Sequence, residues 1–120
     1  MLTREVTLHT GLMLGEERHL VVRFREETLG DELYVLGSGL QDLLAHRRIM
    51  MRRVLEIGPL KPPTHEVLGK LTRTDWDLIE RAMAALDAEI AAAAGLIAPP
   101  QAAEGDGGRG EPGGAAPGDA

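Results

Sequence analysis

Between Leu20 and Leu33 the chain changes period without a linker, and that change constrains the fold more than any other stretch. Leu20, Val22 and Phe24 are apolar at every second position, the pattern of a strand with one buried face. Thr28 then stands as a helix N-cap, and Asp31 comes at the spacing of a capping box, ahead of Leu33, Tyr34 and Leu36. A strand is therefore handed directly into a helix. The residues before this stretch read as the strand's partner and those after it as helix, so the expected class is α+β.

Residues 4 to 25 form the expected β-hairpin. Val6 and Leu8 make one apolar face and Leu20, Val22 and Phe24 the other, and matching the two centres the register on Gly15. Val6 then opposes Phe24, Leu8 opposes Val22 and Thr10 opposes Leu20, while Glu5 meets Arg25 and Thr7 meets Arg23 on the other face. A two-stranded hairpin is marginal in water, so its apolar face must lie on helices.

The spacing predicts a first helix from Thr28 to Leu36, broken at Gly37-Ser38-Gly39. A second is predicted from Leu40 to Ile57, stopped by Gly58-Pro59. On a helical wheel Leu40, Leu43, Leu44, Met51, Val54 and Leu55 share a broad face with Arg47 in its middle, and Arg48, Arg52 and Arg53 point away. Arg47 should then not be freely solvated: it pairs with an acid such as Asp31 or Glu32, or its stem covers the core while its head reaches water. After a stiff linker through Pro62-Pro63, Thr64 caps a short helical turn to about Lys70. Leu71-Thr72 and Asp75 open a last helix, in which Trp76, Ile79, Met83, Leu86 and Ile90 recur at packed-helix spacing.

Composition bounds the function. From Pro99 to Ala120 there are seven Gly, four Pro and five Ala in 22 positions, too little apolar surface to offset ordering entropy. The chain is expected to hold one domain over residues 1 to 95 and a disordered Gly/Pro/Ala-rich tail over 96 to 120. The net charge of −6 lacks the basic excess that phosphate binding needs, which disfavours nucleic acid as a partner. With no cysteine, thiol catalysis, disulfides and thiolate metal sites are excluded. No stretch approaches a membrane span or a signal-peptide core, so a cytoplasmic protein is expected. His9, His19, His46 and His65 read as surface histidines, and Ser38 between glycines lacks the strand-to-helix context of a catalytic elbow. The basic run from His46 to Arg53 reads as a solvated helix face, with a small DNA-binding regulator as the alternative function. A helix-turn-helix over residues 64 to 90 would lead its recognition helix with Asp75, Asp77 and Glu80, which repel phosphate.

The order of an alternating strand, Arg25, an acid, Thr28 and Gly30-Asp31, then a middle helix, a linker, and Leu71-Thr72 with Asp75 opening the last helix, is similar to the signature of the tail assembly chaperones of tailed phages and Mu-like prophages. The resemblance spans residues 4 to 92. It departs at Glu27, where that family often has proline. It implies a non-enzymatic protein without cofactors or metal, acting in the host bacterial cytoplasm. Its partner would be the tape-measure protein, which such chaperones bind and keep soluble during tail morphogenesis. It further implies a frameshift-extended form of the same chain as a companion and leaves self-association open. A minor structural component of the tail is a further alternative. For an aliphatic chain of this kind the large, adaptable side chains are the candidates for partner contact: Trp76, Met83, Met51 and Arg47, along apolar surface left between the second and last helices.

Overall fold

In a computed structural model of the protein, residues 1–97 are described. The expected α+β architecture is present: an antiparallel sheet at the N-terminal end and four helices. The first compact unit, Met1–Asp87, holds every side-chain contact discussed below, and the second opens at Ala88. The tail expected to be disordered lies, but for Leu96 and Ile97, outside the described residues. No described helix is long and apolar enough to cross a membrane.

Strands β1 (Thr3–Leu14) and β2 (Glu17–Arg25) form the hairpin, joined by Gly15-Glu16 with Gly15 at φ 64°. Its register differs from the expected one. Leu14 pairs with Glu17 and Leu12 with His19 near the turn, but Val6 pairs with Val22 and Thr3 with Arg25 at the open end. Glu5 consequently meets Arg23, and Thr7 meets Val21. Between the Thr7–Val21 and Leu12–His19 pairs β1 advances five residues while β2 advances two, so β1 bulges over Leu8–Gly11. Gly11 makes this possible, because it sits at φ 80° and a Cβ there would lie 2.6 Å from the His19 carbonyl oxygen.

Helix α1 (Leu29–Leu36) starts as expected. Thr28 Oγ1 accepts from Asp31 N, and the Asp31 carboxylate accepts from Thr28 N at 2.9 Å, a complete capping box. Asp31 is wholly buried, and its carboxylate also takes both terminal nitrogens of Arg25, at 2.7 and 2.8 Å, and Nε of Arg52, at 2.9 Å. The guanidinium of Arg52 lies 4.4 Å from the centre of the Tyr34 ring. One buried acid thus ties the end of β2 to two helices.

Helix α2 runs Asp42–Arg53 and does not continue to Ile57 as the wheel suggests. Residues Val54–Ile57 are a third strand, β3, paired with β2 so that Val22 meets Ile57 and Phe24 meets Val54. A short aliphatic run is ambiguous between helix and strand, and the free edge of β2 decides it. The shorter helix presents a different face from the expected one. Met50 and Arg53 are buried, Arg53 with only 1% of its surface exposed, whereas Leu43 and Leu44 are exposed. The Arg53 guanidinium donates from Nε to the Arg25 carbonyl at 3.0 Å and from its two terminal nitrogens to Asp87 at 2.8 and 3.2 Å. Arg53 therefore turns inward, against expectation, because its charge has a carboxylate to meet there.

Helix α3 (His65–Leu68) begins at Thr64, whose hydroxyl accepts from Val67 N at 3.2 Å. Helix α4 (Arg73–Ala93) begins at Thr72, whose hydroxyl accepts from Asp75 N at 3.1 Å. Trp76, Ile79, Met83 and Leu86 are buried as their spacing predicts. With Leu8, Leu12, Val22, Phe24, Val54 and Ile57 of the sheet they make up most of the core. Asp75 is buried too, and it serves the bulge: its two carboxylate oxygens accept from His9 N at 2.7 Å, Thr10 N at 3.2 Å and Gly11 N at 2.8 Å. Amides that lose their ladder partners in the bulge are satisfied by a side chain of the last helix.

Candidate functional site

Where α2 runs beside the turn from α3 into α4, an open groove of about 250 Å³ remains. One wall is Arg47 and Met51, four residues apart on α2 and so on one side of that helix. The other is built from Leu68, Leu71 and Trp76, with Gly69, Thr72 and Arg73 beside them. Thr72 is fixed as the cap of α4, and Leu71 is held by its amide, which donates to the Leu68 carbonyl at 3.1 Å. The indole Nε1 of Trp76 donates to Glu80 at 3.0 Å, so the ring has a set orientation and lends its apolar surface to the groove.

Arg47 is the polar element of the α2 wall. The residue is half-buried, so it is not freely solvated, as its place on the wheel predicts. The acid expected for it is elsewhere: Asp31 is taken by Arg25 and Arg52. The Nε of Arg47 is buried and no described group accepts from it. A buried donor without an acceptor costs stability, and because it is shut off from solvent it is not itself a contact for a ligand in the groove.

Of the four residues expected to contact a partner, the groove brings together Arg47, Met51 and Trp76 and leaves out Met83. Met83 is fully buried, 0% exposed, and offers no surface. Its spacing on α4 is that of the core stripe, and nothing in the sequence distinguishes a core methionine from one at an edge. Leu68, Leu71 and Arg73 are groove residues that sequence spacing missed, because a four-residue helix followed by a capping turn has too short a period to reveal its face.

The electrostatics around the groove come from residues already committed to the fold. Arg52 and Arg53, the end of the basic run, are bound to Asp31 and Asp87. Arg73, also on the lining, bonds Asp77 at 3.2 Å one turn on, an exposed pair of little energetic weight. Arg25, pressed against Asp31, has its pKa raised, and the hydrogen bonds from Arg25 and Thr28 hold the Asp31 carboxyl well below its usual range despite its burial. The Asp75 carboxyl is likewise buried, which pushes it up, and the amides of Gly11, Thr10 and His9 more than offset that.

Among the described residues no group of three or more His, Cys, Asp or Glu side chains is placed to hold a metal ion. His19 is not the surface histidine expected: its Nε2 is buried and its ring packs so close to Gly58 that a Cβ there would lie 2.5 Å from Nδ1. Comparison with family models, with curated proteins and with solved structures gives no match for this chain.

Proposed function

We propose that this protein is a non-enzymatic assembly chaperone of a phage tail, working in the host cytoplasm, and that it binds and solubilises the tape-measure protein. The observation that carries the proposal is the open groove in which the apolar side chains of Met51, Leu68, Leu71 and Trp76 stand beside one arginine of α2, Arg47. A tape-measure chain is long and helical, with apolar stripes that aggregate until tail-tube subunits enclose them. A helix laid along the groove inserts a large apolar side chain between Met51 and Trp76 and brings a side-chain oxygen to Arg47. The resemblance of residues 4 to 92 to tail assembly chaperones supports the same partner.

The test is co-expression of the full chain with the product of the long helical reading frame expected next to its gene, followed by pull-down and a solubility assay. The partner should co-purify and stay soluble, and Met51→Asp should remove both effects in a variant that still folds. Retention of both in Met51→Asp, with loss on charge reversal at Arg48, would move the interface to the basic face of α2 and overturn the assignment to the groove. The protein should be absent from finished particles; its presence there would make it a structural tail component instead. The DNA-binding alternative is weakened because Arg53 is buried against Asp87 and Arg52 is bound to Asp31, which leaves Arg47 and Arg48 as the remaining arginines of the run.

A further inference from the structure

Helix α1 carries its leucines on the outside. Leu29, Leu33 and Leu36 fall within about 60° of arc on the wheel and are 70%, 58% and 75% exposed, while the buried positions on the opposite side are Asp31 and Val35. Scattered surface leucines need no explanation, but three at helical spacing make a stripe. The stripe leads at Leu36 into a cleft of about 470 Å³ between the end of α1 and the start of α2, floored by Val35, Leu40, Ala45 and Ile49. The charged residues on the walls of this cleft are both acids, Glu32 and Asp42.

The wider sequence has the same sign. From Glu26 to His46 there are five acids and no Lys or Arg; Asp31 is ion-paired with Arg25 and Arg52, and Glu27 feels Arg25 and Arg53, while Glu32 and Asp42 are the two acids on the cleft walls. We propose that the α1 stripe and the adjoining cleft form a second docking surface, whose occupant is an amphipathic partner helix with a leucine-like stripe flanked by Lys or Arg. Apolar side chains fill the cleft and the flanking cations meet Glu32 and Asp42. A second copy of this chain fits less well, since pairing this face with itself sets acid against acid. An anionic lipid surface is repelled for the same reason. The proposal stands whether or not the partner is a tape-measure chain, and it concerns a face separate from the Arg47 groove.

The experiment uses the full-length chain and two fluorescently labelled synthetic helices with identical leucine stripes, one flanked by lysines and the other by glutamates, read by fluorescence polarisation. The lysine helix should bind at least about tenfold more tightly than the glutamate helix, and Glu32→Lys should narrow that gap. Leu33→Glu and, as a second variant in case one fails to fold, Leu29→Glu should each weaken the lysine helix about tenfold or more with helix content and melting unchanged. Val21→Glu, at an exposed apolar site on the hairpin, should leave binding as it is. Equal affinity for the two helices overturns the charge assignment. Loss of binding in Met51→Glu but not in Leu33→Glu transfers the site to the groove. A dimer that competes with the lysine helix and is abolished by Leu33→Glu makes a second copy the occupant. Each of these last three results refutes the proposal, and none bears on whether the tape-measure protein co-purifies.

Discussion

The carboxylate of Asp75, in the first turn of α4, lies 2.8 Å from the backbone nitrogen of Gly11, a residue sixty-four positions earlier in the bulge of β1. With His9 and Thr10 on the same carboxylate, three consecutive amides depend on one side chain. Asp75→Ala removes the acceptor of all three in a part-buried place and should cost about 2 to 3 kcal/mol of unfolding free energy. Asp75→Asn keeps one acceptor oxygen and should cost less. Urea unfolding of the three proteins checks the order.

Acid should unfold the protein earlier than its net charge alone would suggest. Asp31 and Asp75 both have folded-state pKa values below their ordinary value, so the unfolded chain takes up protons that the folded chain refuses. Their stabilisation is fully present above that ordinary value and is lost as pH falls through it toward the depressed folded values. Denaturant midpoints measured from about pH 7 down to about pH 3 should decline below about pH 5, and Asp75→Asn should flatten the decline.

Arg53 is a buried charge with a half-exposed partner, and removing either end has unequal consequences. Arg53→Ala leaves a hole and an unbonded Arg25 carbonyl and should cost about 3 to 5 kcal/mol. Arg53→Met fills the volume and should cost clearly less, whereas Arg53→Lys cannot reproduce the two-pronged contact with Asp87. Thermal melts rank the three.

Arg47→Met should do the opposite. It replaces an unmet buried donor by an apolar side chain of similar length, and a gain of about 1 kcal/mol is expected. If the groove is the partner site, the same variant should capture less tape-measure protein, a trade of function for stability. A stability loss beyond about 0.5 kcal/mol would show that Nε has an acceptor after all.

Gly11→Ala tests the bulge directly. The new Cβ would meet the His19 carbonyl at 2.6 Å in a backbone conformation that alanine avoids, so a loss of at least about 2 kcal/mol is expected. Gly15→Ala, with nothing within 4 Å of its Cβ, carries only the conformational part and should cost about 1 kcal/mol.

How much of this was legible in the sequence depends on the range of each interaction. The Thr28–Asp31 capping box spans three residues, and the α4 stripe from Trp76 to Leu86 is periodic, so both are readable in place. The bulge is not, because the amides of His9 to Gly11 are satisfied from Asp75, far along the chain. Strand β3 is hidden because Val54–Ile57 are apolar in a way that suits either period, and only the open edge of β2 selects the strand. Arg53 is misplaced by residue type: arginines are normally outside, and the acid that draws this one in sits on another helix. The groove is half-legible. Met51, Arg47 and Trp76 attract attention as adaptable side chains, but Met83 looks the same in sequence and lies in the core.

Helix α2 ends at Arg53 and β3 begins at Val54 with no residue between them. The two elements are geared together. A slip of β3 along β2 by one residue would shift the strand about 3.3 Å, and a helix joined rigidly to it cannot roll or slide alone. The α2 wall of the groove is in effect bolted to the sheet through the Val22–Ile57 and Phe24–Val54 pairs. Swinging that wall outward would mean unzipping a strand, so a helix entering between Arg47 and Trp76, as proposed, would have to conform to a fixed gauge, and selection among partner segments would fall on their side chains.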